Sequence, residues 1–182
     1  MIVTPKIFAR IAVIALLAVL LQLSFFSRVT LFHVSPDILP AVVVVLGLLG
    51  GAMTGAVAGF SIGLLADGLL ADDLGGSSLV LLGIGYLAGL FRERFEIRGA
   101  LVPPLLCVGL TFVAELGFAA VQLTLGVDAP ISPLIVRDIL LKSIFAFFLG
   151  WPIYLGVKRA LRPALVEEPR VRRRRQPKVL GA

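Results

Sequence analysis

ILPAVVVVLGLLGGAMTGAVAGFSIGLLA, residues 38–66, runs for 29 residues without a charge, and its folding decides the folding of the chain. As one helix it would be about 43 Å long, well beyond a hydrocarbon core of about 30 Å. As two shorter helices it would turn at Gly50-Gly51. Gly47, Gly51, Gly55, Gly59 and Gly63 favour the single helix, because small residues every four positions line up as one stripe. The stretch alone leaves both foldings open. The charges around it choose.

Of the 182 residues, 59% are hydrophobic and only 15% charged. Soluble domains carry about 25% charged residues, and disordered chains lack this aliphatic content, so both classes are excluded. Four further apolar runs lie at residues 7–26, 78–91, 101–125 and 133–157. The first follows Lys6 and ends in Phe25-Phe26 before Ser27-Arg28. It lacks the short apolar region and small-x-small site of a cleaved signal, so it reads as a retained anchor.

If residues 38–66 make two helices, the chain has six. The N-terminus, the Gly50 turn, residues 92–98 and everything from Lys158 onward then share one side. That side holds 14 of the 17 Lys and Arg, all but Arg28, Arg137 and Lys142. The positive-inside rule makes it cytoplasmic. Five helices would place both the 92–98 loop and the basic C-terminal segment outside, against the same rule. The expectation is an all-α polytopic membrane protein with both termini cytoplasmic. Its six-helix transmembrane bundle occupies residues 1–162, with helices at about 7–27, 37–49, 52–68, 78–92, 101–125 and 133–158, and residues 163–182 form a disordered basic tail. Asp37, Asp67, Asp72, Asp73 and Asp128 fall on the outer side, and Arg28 at the interface.

Two groups of residues are candidates for function. Gly55, Gly59 and Gly63 form a seam for close approach of another helix, from this chain or from a partner protein. Asp67 follows at the helix C-terminus, where the dipole opposes a carboxylate, so it needs a donor. With Asp37, these glycines and Asp67 make up the expected partner-binding set. The second group centres on Glu115, about fourteen residues into its helix and inside the hydrocarbon layer, where a lone charge costs about 3 kcal/mol. On the next helix Arg137 lies about 6 Å and Lys142 about 14 Å below the outer end, with Glu115 between them in depth. Asp138 precedes Lys142 by four residues, a good ion-pair spacing. A buried polar cluster of Glu115, Arg137, Asp138 and Lys142 is expected, either as a network that fixes helix packing or as a ligand or partner site.

Catalysis and cofactors find no support. Gly59, Ser61 and Gly63 match the hydrolase pattern G-x-S-x-G, but that motif needs a strand-to-helix elbow and a histidine base. Here it lies on a membrane helix, and the single histidine, His33, is in an outer loop. Cys107, also single, allows no intrachain disulfide and no cysteine metal cluster. Asp72-Asp73 lack companion ligands and read as a solvated loop. The tail, with Arg170, the run Arg172 to Arg175, and Lys178, suits anionic lipid headgroups or an acidic cytoplasmic partner. No folded domain accompanies it, so nucleic acid is not expected. Trp151-Pro152 places an interfacial aromatic and a kink late in the last helix.

Several stretches, in order, resemble one known family. Ser35-Pro36-Asp37-Ile38-Leu39 is similar to its proline-acid lead-in to an apolar helix. Gly59-Phe60-Ser61-Ile62-Gly63-Leu64-Leu65-Ala66-Asp67 resembles its G-F-x-x-G-x-x-x-D signature. Gly85-Tyr86-Leu87-Ala88-Gly89-Leu90 is similar to its fourth helix, and Trp151-Pro152 followed by Lys158-Arg159 to its ending. The family is the bacterial rod shape-determining protein MreD, and the likeness covers about residues 7–162. It implies a six-helix inner-membrane protein, similar in architecture to the substrate-binding subunits of energy-coupling vitamin transporters. It also implies a non-enzymatic role in peptidoglycan elongation, with the bitopic protein MreC as main partner and MreB, RodA and PBP2 in the same assembly. No cofactor and no catalytic residue comes with it. The chain departs from the family pattern after Asp67, where Ala71-Asp72-Asp73-Leu74-Gly75-Gly76-Ser77-Ser78 is longer and more acidic. A small-molecule-binding transporter subunit is the alternative function on the same architecture.

Overall fold

The structure, a computed structural model, describes residues 5–28, 35–70, 75–95, 102–124 and 133–165. Its elements are α1 (Pro5–Leu21), a π-helical turn (Gln22–Phe26), α2 (Leu39–Gly50), α3 (Ala52–Leu70), α4 (Gly76–Arg94), α5 (Val102–Thr124) and α6 (Pro133–Leu165). Among the described residues there are six α-helices and no strand. His33, Asp72, Asp73, Arg98, Asp128 and residues 166–182 lie outside them.

Residues 38–66 fold as two helices. Pro40 stands in the first turn of α2, where its missing N–H is harmless. At the other end Gly51 takes φ 91° and ψ 175°, a conformation that only glycine adopts easily. Its N–H bonds the Gly47 carbonyl at 2.8 Å, which closes the helix. The run Val42 to Val45 has poor intrinsic helix propensity. Packing overrides it, since every residue from 39 to 48 is buried.

That burial defines the architecture. α1, α3, α4, α5 and α6 stand side by side in a closed ring, in that order, and α2 touches all five. Val43, Val44, Val45 and Leu46 of α2 meet Val19, Ile62, Leu81, Ile84, Cys107 and Ala114 from the ring in one core. Large apolar side chains such as Val13, Leu17, Met53, Leu105 and Phe148 point outward from the ring. An apolar exterior is what a bundle in lipid requires, because lipid is its solvent. Among the described residues four helices are long and apolar enough to cross a membrane: Ala9–Phe26, Ala52–Leu69, Val102–Thr124 and Arg137–Leu161.

The second helix falls short of a full span. With 12 residues it is about 18 Å long, short of a ~30 Å hydrocarbon core. It occupies the axis of the bundle near the end that carries the Gly51 turn. The basic residues Arg92 and Arg94 close α4 at the same end. The last helix is longer than expected, and its 33 residues carry it to Leu165, into the segment read as tail.

The glycine repeat does its packing inside the chain. A Cβ on Gly55 would fall on the backbone of Gly85, one on Gly59 on the backbone of Leu81, and one on Gly63 on Ser78. Gly47 and Gly89 make the same close approach between α2, α4 and the start of α3. The last turn of α4 then clamps the α2–α3 turn from the side. Arg92 Nη1 donates to the Leu49 carbonyl at 2.6 Å, and Glu93 Oε1 accepts the Ala52 N–H at 3.0 Å. One orphan group at each helix end is thereby satisfied.

Candidate functional site

Because α2 is short, the chain leading into it lies well inside the bundle. Asp37 caps the helix start through Oδ1, which accepts the Leu39 N–H at 2.9 Å. The backbone on either side is held by one side chain of the first helix. Gln22 Oε1 accepts the Ile38 N–H at 3.0 Å, and Gln22 Nε2 donates to the Pro36 carbonyl at 3.3 Å. Gln22 opens the π-helical turn. Such turns re-aim a side chain within a helix and recur at functional sites.

Lys142 Nζ donates to Glu115 Oε2 at 2.9 Å, across from α6 to α5. The helix registers explain the pairing. Glu115 stands nine residues before the end of α5 and Lys142 nine residues after the start of α6, so both lie about 13 Å from the same end. Glu115 is only 7% exposed, and its second oxygen, Oε1, is buried without a partner. One turn away on the same helix face, Thr111 is fully buried and its Oγ1 is also unpartnered.

The other two members of the expected cluster are less enclosed than Glu115. Arg137 is exposed and Asp138 half-buried. Among the described residues Asp138 forms no ion pair, so the Asp138–Lys142 spacing goes unused and Lys142 reaches across to α5 instead. Asp37 and Gln22 instead order the segment that leads into α2. Gln22 had no signal of its own as a lone amide in an apolar run. Asp37 could have been placed by depth, had α2 been known to be short.

The set expected at a partner surface turns inward. Gly55, Gly59 and Gly63 face α4, as described. Asp67 is 1% exposed, and its Oδ2 accepts the Gly75 N–H at 2.9 Å and the Ser78 hydroxyl at 3.4 Å. The carboxylate that the dipole of its own helix opposes is thus favoured by the N-terminus of the next. The face of α3 opposite the glycines, with Met53, Val57, Phe60 and Leu64, is the exposed one.

Comparison with known proteins places the chain. Residues 6–159 match the family described as rod shape-determining protein MreD. Nothing matches among curated proteins, and nothing among solved structures.

Proposed function

The chain belongs to the rod shape-determining MreD family, and on that premise we propose that it is a non-enzymatic membrane scaffold of the cell-elongation machinery. The observation that carries this reading is the extent of the match, which runs from the start of α1 to the late turns of α6 and takes in all six helices. The basic end of the bundle faces the cytoplasm of a bacterial inner membrane, with both termini on that side, in line with the positive-inside rule. The far end, with Asp67 and the acidic loop after it, faces outward. The main partner is an MreC-type bitopic membrane protein, through which peptidoglycan synthesis is supported. MreB, RodA and PBP2 are further members of the assembly, and anionic lipids hold the basic tail.

The partner contact lies on the third helix. Its glycine seam against α4 and the Asp67 anchor fix the shape of that helix, and the exposed Met53, Val57, Phe60 and Leu64 face supplies the surface. Asp37 contributes by holding α2 in register behind it. Co-expression with the MreC-type protein followed by affinity purification in detergent tests the reading. The expected result is a stable complex that is weakened when Phe60 and Leu64 are both changed to Ser while the bundle remains folded. A chain that elutes alone beside a folded partner overturns it. Purified protein that retains a small vitamin-type ligand by native mass spectrometry assigns it instead to the transporter-subunit class.

A further inference from the structure

Two buried oxygens on one face of α5 carry an unmet demand. Thr111 is fully buried and Glu115 is 7% exposed, and neither Thr111 Oγ1 nor Glu115 Oε1 makes a hydrogen bond. Each such atom bears its desolvation penalty uncompensated. The hydroxyls of Ser61, Thr124 and Ser143 avoid that cost by donating to a carbonyl three or four residues back. Thr111 does not fold back on its own helix in this way, so its hydroxyl stays available to another partner.

Among the described residues the neighbouring helices supply none. Two contacts fix the register of α5 against α6: Lys142 bonds Glu115, and a Cβ on Gly150 would meet Cys107. Eight residues back along α5 and eight forward along α6 lead from the first contact to the second, so Thr111, midway, is level with Ala146. Ala146 is buried and offers neither a polar atom nor bulk beyond Cβ. The Lys142 ammonium is engaged on the other carboxylate oxygen, Oε2. The central helix packs on α5 and has no polar side chain from Leu39 to Gly50. On α4, which also packs on α5, the buried Ser78 hydroxyl donates to Asp67.

The shape of the deficit names the ligand. Side chains one helical turn apart stand about 5–6 Å from each other at Cβ, a gap that two hydrogen bonds of about 2.8 Å through one oxygen atom span. The carboxylate needs a donor, and the hydroxyl can give or accept. Water meets both needs, and a buried water is held by as few as two polar partners. A cation fits poorly. The Lys142 ammonium already sits on the same carboxylate, and among the described residues no group of three or more His, Cys, Asp or Glu is placed to hold a metal.

We propose that Thr111 and Glu115 form an internal hydration site, in which one water donates to Glu115 Oε1 and accepts from the Thr111 hydroxyl. By engaging Oε1, the water holds the carboxylate with Oε2 turned to Lys142. It extends the ion pair into a polar chain one helical turn longer, from Lys142 through Glu115 to Thr111. The site is independent of the scaffold reading.

Water-edited solid-state NMR on the full-length protein in lipid nanodiscs tests this, with isotope labels at threonine, glutamate and valine. Polarisation that starts on water is followed into Thr111 Cβ and Glu115 Cδ. The expected result is early transfer to both, as fast as to exposed Thr124 and well ahead of the buried valines Val43 and Val44. Thr111→Val removes one anchor and should abolish the early transfer to Glu115 Cδ, whereas Thr111→Ser should keep it. The first comparison uses the unaltered protein, so a variant that fails to fold does not blunt the test. Transfer to Thr111 and Glu115 as slow as to the core valines overturns the proposal. So does early transfer to Glu115 that persists in folded Thr111→Val, which would leave Thr111 no part in the site. Transfer that disappears when sodium chloride is replaced by choline chloride also overturns it, by making a hydrated sodium ion the occupant.

Discussion

Lys142 and Glu115 set the tightest constraint at the scale of single residues. Their Nζ to Oε2 contact of 2.9 Å joins a half-buried lysine to a buried carboxylate. Removing one partner of a buried pair costs about 3–5 kcal/mol, because the other charge is left alone. Lys142→Met should therefore lower the thermal unfolding midpoint in detergent steeply, and the double variant Glu115→Leu with Lys142→Met should recover most of that loss. A double variant as unstable as the single one would show that the pair is not the source. Gln22→Leu should cost about 1–3 kcal/mol by stranding the Ile38 N–H and the Pro36 carbonyl. Its signature is faster amide hydrogen exchange confined to residues 35–39. Glu115 was legible in the sequence because a charge in an apolar helix needs an answer. Gln22 was not, because an uncharged amide in such a helix raises no comparable alarm and its partners lie 14 and 16 residues away.

Between elements, the α3–α4 seam and the clamp on the α2–α3 turn hold the bundle together. Gly59 has the Leu81 backbone where a Cβ would go, whereas Gly83 on the same α4 helix has nothing within 4 Å. Gly59→Leu should abolish accumulation of folded protein, judged by monodispersity in detergent. Gly83→Ala should be neutral or stabilising by up to about 1 kcal/mol, the helix-propensity difference. Glu93→Ala uncaps the Ala52 N–H and should cost about 1 kcal/mol, while Glu93→Gln keeps an acceptor there and should cost less. Equal melting temperatures for the two Glu93 variants would remove the cap from the account. The glycine repeat announced close approach in the sequence, and the structure names α4 as the helix approached. Arg92 and Glu93 read only as part of a charged loop, because a cap supplied by a third helix is invisible until the three helices are brought together.

At the scale of the whole molecule, five helices enclose a sixth. Charge placement gave the number of helices, since each hairpin must return basic residues to the same side. It could not give the ring, because an all-apolar helix such as α2 offers no polar face to mark which way it points. Amide exchange should be slowest along residues 42–48, in the enclosed helix, despite its poor intrinsic propensity. Enclosure also imposes an order in time. The central helix is synthesised second, but α6, the last to leave the ribosome, completes the wall around it. Until then Glu115 has entered the bilayer without Lys142. The nascent chain must shelter that carboxylate, by keeping α5 in the insertion channel, until the final helix arrives. A ribosome stalled after α5 should therefore hold a chain that cross-links to the insertion machinery, whereas one stalled well past α6 should already have released it to lipid.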